Sequence, residues 1–147
     1  MATQSIDVSW ATRMAFKAKI NEHEIVLDLE EFAGGTNLGP KPKPLLLVAL
    51  GGCTAMDVIS ILKKMKIEPA YFNVKVEGDV NDDHPKRFNR IRLIYEFRGD
   101  NLPMDKLQRA IELSQDHYCG VSDTLKKALE ITYEIKILNS VSSVEMN

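Results

Sequence analysis

The sequence predicts an α+β fold on three observations. Strand-type alternation occurs in blocks at the start, middle and end of the chain. A long charge-free helical stretch separates the first two blocks, and an amphipathic helix followed by a shorter one separates the last two. With 147 residues, 44% hydrophobic and 27% charged, the chain suits a single domain whose core needs no disulfide staples. That domain is expected to have its core at about residues 6–138, with 139–147 as a frayed polar tail.

The elements follow in order. Val8 and Trp10, then Met14, Phe16, Ala18 and Ile20, alternate with polar neighbours. Asn21-Glu22-His23 reads as a turn, after which Ile25, Leu27 and Leu29 resume the alternation. Gly34-Gly35, Gly39-Pro40 and Pro42 mark a loop. Pro44 suits a first helical position, and from Pro44 to Met56 there is no charge. A helix apolar all round is either a membrane span or wholly buried. Asp57 and Lys63-Lys64 cut the run short of a span, so a buried central helix is expected. Gly51-Gly52 within it costs roughly 1 kcal/mol per glycine relative to alanine and marks a close approach by another element.

A hairpin comes next. Phe72, Val74, Val76 and Val80 face Ile91, Leu93, Tyr95 and Phe97 across the turn Asn81-Asp82-Asp83-His84-Pro85. From Met104 to about Asp116 an amphipathic helix carries Leu107, Ile111 and Ser114 on one stripe, and Cys119-Gly120 breaks it. Ser122 or Asp123 is expected to cap a short helix through Leu129. Ile131, Tyr133, Ile135 and Ile137 form a last strand.

Composition narrows the function. A net charge of −2 and a pI near 5.9 give no general attraction to nucleic acid or an anionic membrane, so neither is expected as a partner. Lys86, Arg90, Arg92 and Arg98 alternate with apolar residues, as on a solvated strand face. GPKPKP lacks the glycine pattern of a phosphate loop. The opening residues hold no apolar export signal, so a reducing cytoplasm is expected, where two cysteines serve chemistry rather than a permanent bridge. His23, His84 and His117 are scattered without paired ligands, and no metal or cofactor is expected. His117, near Cys119, reads as a surface residue at a helix end, with general-base chemistry as the alternative.

Each cysteine has two readings. Cys53 on an apolar helix is either a small inert core residue or a nucleophile. Burial disfavours a thiolate, and Asp57 one turn on opposes it further, so a reactive Cys53 requires a cation from elsewhere. Cys119, just before a helix, is either a plain capping-region residue or a thiol whose charged form the helix N-terminus favours.

The two cysteine segments carry a resemblance. GPKPKPLLLVALGGCTAMDVISILKKMK resembles the central helix of the OsmC/Ohr family (osmotically induced protein C and organic hydroperoxide resistance protein), in particular its less-studied subgroup. HYCGVSDTLKKAL is similar to the segment around that family's second cysteine, and the likeness spans about residues 6 to 138. The resemblance implies an OsmC-like fold: strand blocks around a long buried helix, built as an intertwined homodimer. A second chain would also cover a helix that one chain of this size cannot surround.

By the same resemblance, Cys53 is the peroxidatic nucleophile, taking oxygen from an organic hydroperoxide or hydrogen peroxide as a sulfenic acid. Cys119 is the resolving cysteine, and an external dithiol, either of low molecular weight or a lipoyl or thioredoxin-type protein, reduces their disulfide. Arg13, the single arginine before Cys53, takes the place of the family's activating arginine. The family's glutamate does not carry over: Lys43 and Pro44 stand nine or ten residues before Cys53. Gly120 stands where proline is commoner. A thiol-dependent peroxidase is therefore the leading reading. A binding protein switched by a Cys53–Cys119 disulfide and a structural dimer with inert cysteines are its rivals.

Overall fold

In the computed structural model, residues 1–138 are described, and the tail from residue 139 lies outside them. The chain divides into two compact units, Met1–Leu46 and the remainder from Leu47.

The first unit is a three-stranded antiparallel meander of β1 (Asp7–Thr12), β2 (Ala15–Ile20) and β3 (His23–Leu27). Met14, expected to begin a strand, instead shares with Arg13 the turn that joins β1 to β2. Arg13 adopts φ of 50°, in the left-handed region that tight turns exploit. After β3 the loop is organised by one buried carboxylate. Asp28 accepts bonds from the amides of Leu29, Thr36 and Leu38 and from the Thr36 hydroxyl. Those amide donors, Leu38 and Leu29 foremost, hold its carboxyl below the usual carboxylate range.

The second unit contains the chemistry. Pro44 immediately precedes α1 (Leu45–Lys64), as its fixed φ allows. The expected hairpin follows as β4 (Tyr71–Val80) and β5 (Phe88–Arg98), paired with Phe72 opposite Phe97 and Val76 opposite Leu93. The chain then passes through α2 (Met104–Leu113), a π-helical turn (Ser114–Tyr118) and α3 (Gly120–Lys126) before β6 (Glu130–Ile137). β6 lies parallel to β5, because a helical crossover returns the chain in the same direction.

The odd residues of β5, Ile91, Leu93, Tyr95 and Phe97, are fully buried. They meet Leu50, Val58 and Leu62 of α1 and Leu107, Ala110 and Ile111 of α2 in one core. The even face is mixed: Arg90 is exposed, Arg92, Glu96 and Arg98 are half-buried, and Ile94 is buried. Arg92 pairs with both carboxylate oxygens of Asp79 at 2.8 and 2.9 Å, and Arg90 with Glu130 at 3.3 Å. Opposite charges across the strands thus account for Arg90 and Arg92, while the Arg98 guanidinium lies over the Tyr71 ring at 5.0 Å.

α1 departs from expectation in two ways. It runs 20 residues through Asp57 and both lysines, so by length and composition it could cross a bilayer. Within one chain it is also not wholly buried. One stripe, Leu50, Gly51, Thr54, Val58 and Leu62, packs on the core, while Val48 is 65% and Met56 73% exposed. The glycine pair divides likewise. A Cβ on Gly51 would stand 2.9 Å from Cγ2 of Val76, so glycine there permits close helix–sheet packing, whereas one on Gly52 would meet nothing within 4 Å.

Candidate active site

Cys53 and Asp57 lie one turn apart on α1, so both side chains leave the helix on the same side. Cys119 arrives at the other end of a broken helix. α2 gives way to the π turn, where the Cys119 amide donates to the Ser114 carbonyl at 2.8 Å, and the backbone at Cys119 then turns extended. The Cys53 and Cys119 sulfurs and an Asp57 carboxylate oxygen lie within 4.8 Å of one another. Residues 53 and 119, far apart in sequence, thus meet. A disulfide places its sulfurs about 2.05 Å apart, so bridging asks for a small closure rather than a refolding.

Cys119, rather than Ser122 or Asp123, caps α3: its sulfur accepts the Ser122 amide at 3.4 Å. The cap does not produce a ready thiolate. Burial outweighs the Ser122 amide, and the nearby Cys53 and Asp57 add to it, pushing the Cys119 thiol up to about 11. Cys119 is 3% exposed, while Cys53 is half-buried. The more accessible sulfur is the one on α1.

A buried polar network joins the trio to the core. Ser114 Oγ donates to Asp57 Oδ2 at 2.9 Å. Its single hydrogen is thereby used, so the 2.8 Å contact between Thr54 and Ser114 must be donated by Thr54. By the same count, the 2.7 Å contact between Tyr95 and Thr54 is donated by Tyr95. Gln115 Nε2 donates to both Thr54 Oγ1 and Tyr95 Oη, at 3.1 and 3.0 Å, and its Oε1 accepts Ser122 Oγ at 2.8 Å. The chain of hydroxyls therefore runs one way, from Tyr95 through Thr54 and Ser114 into the Asp57 carboxylate. Burial pushes the Tyr95 phenol up to about 12 against the lowering effect of its Thr54 and Gln115 bonds. Lys126 Nζ donates to the Gln115 carbonyl at 2.8 Å and ties α3 to this network.

A cleft of about 470 Å³ reaches Asp57, lined also by Ser60, Ile61, Lys64, Leu113 and Tyr118. Its walls mix apolar Ile61 and Leu113 with Ser60, Tyr118 and one cation, Lys64, and of the trio only Asp57 lines it. As metal donors, two sulfurs and one carboxylate fall one short of a closed zinc site, and the carboxylate is already engaged by Ser114.

Of the residues singled out in sequence, Cys53 and Cys119 come together. Arg13 belongs to the first unit, where its Nη2 donates to the Gly34 carbonyl at 3.4 Å. His117 is exposed in the π turn, with its ring 6.4 Å from that of Tyr118. The roles of Thr54, Tyr95, Gln115 and Ser122 were not anticipated. Their signal was weak but present: polar groups at positions whose periodicity places them in the core, such as Ser114 on the stripe of Leu107 and Ile111.

Known proteins resemble this chain in sequence or in fold. YhfA of Escherichia coli K12 is 30% identical over 89% of this chain and 96% of its own length. An Aquifex aeolicus protein of known structure is 28% identical, with a TM-score of 0.78 over 94% of this chain and 99% of its own. An organic hydroperoxide resistance protein of Elizabethkingia anophelis, 16% identical, shares the fold with a TM-score of 0.68 over 93% and 99% of the two chains. The model of the OsmC-like protein family matches residues 35–134, which include α1, both cysteines and all of the hydroxyl network. The chain belongs to the OsmC-like family.

Proposed function

We propose that the protein is a thiol-dependent peroxidase that reduces organic hydroperoxides, with Cys53 as nucleophile and Cys119 as resolving thiol. One observation carries the reading: two free cysteines distant in sequence place their sulfurs within 4.8 Å of each other. Such a pair can pass through sulfenic acid to a disulfide and back. The asymmetry of the pair supports the assignment. Half-buried Cys53 can meet a peroxide, whereas buried Cys119, its thiol pushed up to about 11, keeps its proton until a partner sulfur is oxidised.

Cys53 attacks the distal peroxide oxygen. The O–O bond breaks, the thiol proton goes to the departing alkoxide, and an alcohol leaves. Cys119 then displaces the sulfenic oxygen as water, and an external dithiol restores both thiols. The activating cation is Arg13, whose guanidinium stays charged and offers several donors. Two copies of the chain assemble through the open apolar face of α1, in a reducing compartment such as the cytoplasm; Val48 and Met56 on that face support the assembly.

The test is steady-state consumption of cumene hydroperoxide with dithiothreitol or reduced lipoamide as donor. Turnover that is lost in Cys53→Ser supports the reading. An alkylatable Cys53 with no turnover would instead favour a disulfide-switched binding protein.

A further inference from the structure

Resolution of the proposed sulfenic acid poses a chemical problem. The Cys119 thiol must lose its proton, though burial and neighbouring charge oppose this, and the hydroxyl on Cys53 must leave as water rather than hydroxide. Both needs arise where the two sulfurs and an Asp57 oxygen lie within 4.8 Å of one another. Asp57 is also held for the task. Ser114 fixes Oδ2 at 2.9 Å, and the one-way chain from Tyr95 and Thr54 commits the Ser114 hydrogen to that oxygen. Among the described residues, Oδ1 accepts no side-chain hydrogen bond, so it remains available to a proton from the cysteines.

We propose that Asp57 is a catalytic proton shuttle for the resolving step, an inference that rests on the peroxidase reading above. The Asp57 carboxylate takes the Cys119 proton, directly or through one water, as a general base can. The Cys119 thiolate attacks the Cys53 sulfur, the S–S bond forms, and the S–O bond breaks. The proton on Asp57 passes to the departing oxygen, which leaves as water. The step is balanced without an outside reagent: Cys53–SOH and Cys119–SH give the disulfide and water. Cys119 sulfur is oxidised, Cys53 sulfur is reduced, and Asp57 ends as a carboxylate.

The ionisable groups facing the trio are few. Tyr95 on β5 feeds the hydroxyl chain, Lys126 on α3 binds the Gln115 carbonyl, and Lys64 and Tyr118 line the cleft with Asp57. Among the described residues none of these groups hydrogen-bonds to either sulfur, whereas an Asp57 oxygen lies within 4.8 Å of both, which leaves Asp57 as the acceptor at hand.

The test is a single turnover of the fully reduced full-length protein with one equivalent of cumene hydroperoxide. Dimedone-trappable sulfenic acid and disulfide are followed separately in time. Asp57→Asn should form sulfenic acid at least as fast as the parent, because a negative charge beside the nucleophile is gone. It should then close the disulfide about 10²-fold more slowly, the scale of a lost general base. Its closure rate should rise with pH towards the Cys119 pKa of about 11, while the parent stays less steep. Asp57→Glu, which keeps a carboxylate, should close faster than Asp57→Asn and controls for folding. Closure by Asp57→Asn within twofold of the parent, or an effect confined to sulfenic acid formation, overturns the proposal. A parent protein that forms no sulfenic acid overturns the peroxidase reading, and the shuttle with it.

Discussion

At the residue scale, the two cysteines differ by environment rather than by chemistry. Cys119 carries its thiol at about 11 against the usual 9.0, and Tyr95 its phenol at about 12 against 10.0, both chiefly through burial. Each folded-state pKa lies above its unfolded value, so the contribution to stability is complete below about pH 9 and is lost as pH rises through 11 to 12. Chemical denaturation across pH 8 to 12 should therefore show a falling midpoint, and Tyr95→Phe should flatten the upper part of that fall. Thr54 bonds Tyr95, Ser114 and Gln115 in the buried network. Thr54→Val strands these partners without changing shape and should cost about 1–3 kcal/mol, read from the same denaturation experiment. Arg13→Ala should slow peroxide attack about tenfold or more, about 1.4 kcal/mol in the barrier, with Arg13→Lys recovering only part. An unchanged rate in Arg13→Ala would remove Arg13 from the site.

At the element scale, regular periodicity was legible and its interruptions were less so. The alternation of Ile91, Leu93, Tyr95 and Phe97 placed the buried face of β5 directly, because a strand's two faces are read by position alone. The charge-free run likewise marked α1. The π turn at Ser114–Tyr118 was not legible, since its bond from the Cys119 amide to the Ser114 carbonyl reaches one residue further back than an α-helical bond and no residue type marks that change. The cap of α3 was assigned to Ser122 or Asp123 because their oxygens are the usual acceptors, yet the extended backbone at Cys119 puts a sulfur in that place. Gly51 was correctly suspected of a close approach. Gly51→Ala should lose about 1–3 kcal/mol from overpacking against Val76, offset by about 1 kcal/mol of helix propensity. In a Val76→Ala background most of that loss should vanish, and a double-mutant cycle that shows no coupling would contradict the contact.

At the scale of the whole molecule, the sequence motifs pointed to the family, and the meeting of residues 53 and 119 came only with the fold. No spacing rule could bring them together, because Cys119 and the inner stripe of α1 meet only through the one core they share with β5 and α2. The apolar face left open on α1 belongs to the same scale. If a second copy covers it, Val48→Asp should yield monomers in sedimentation while helix content is kept, since Val48 is 65% exposed within its own chain. A parent protein already monomeric at low micromolar concentration would reject that assembly. The central claim is that Cys53 and Cys119 form one redox pair, and it is tested most directly by non-reducing peptide mass spectrometry after one equivalent of hydroperoxide. An intramolecular Cys53–Cys119 disulfide is expected in the parent and a sulfenic acid or higher oxide on Cys53 in Cys119→Ser; two intact thiols in the parent, or oxidation at Cys119 with Cys53 untouched, would refute the pairing.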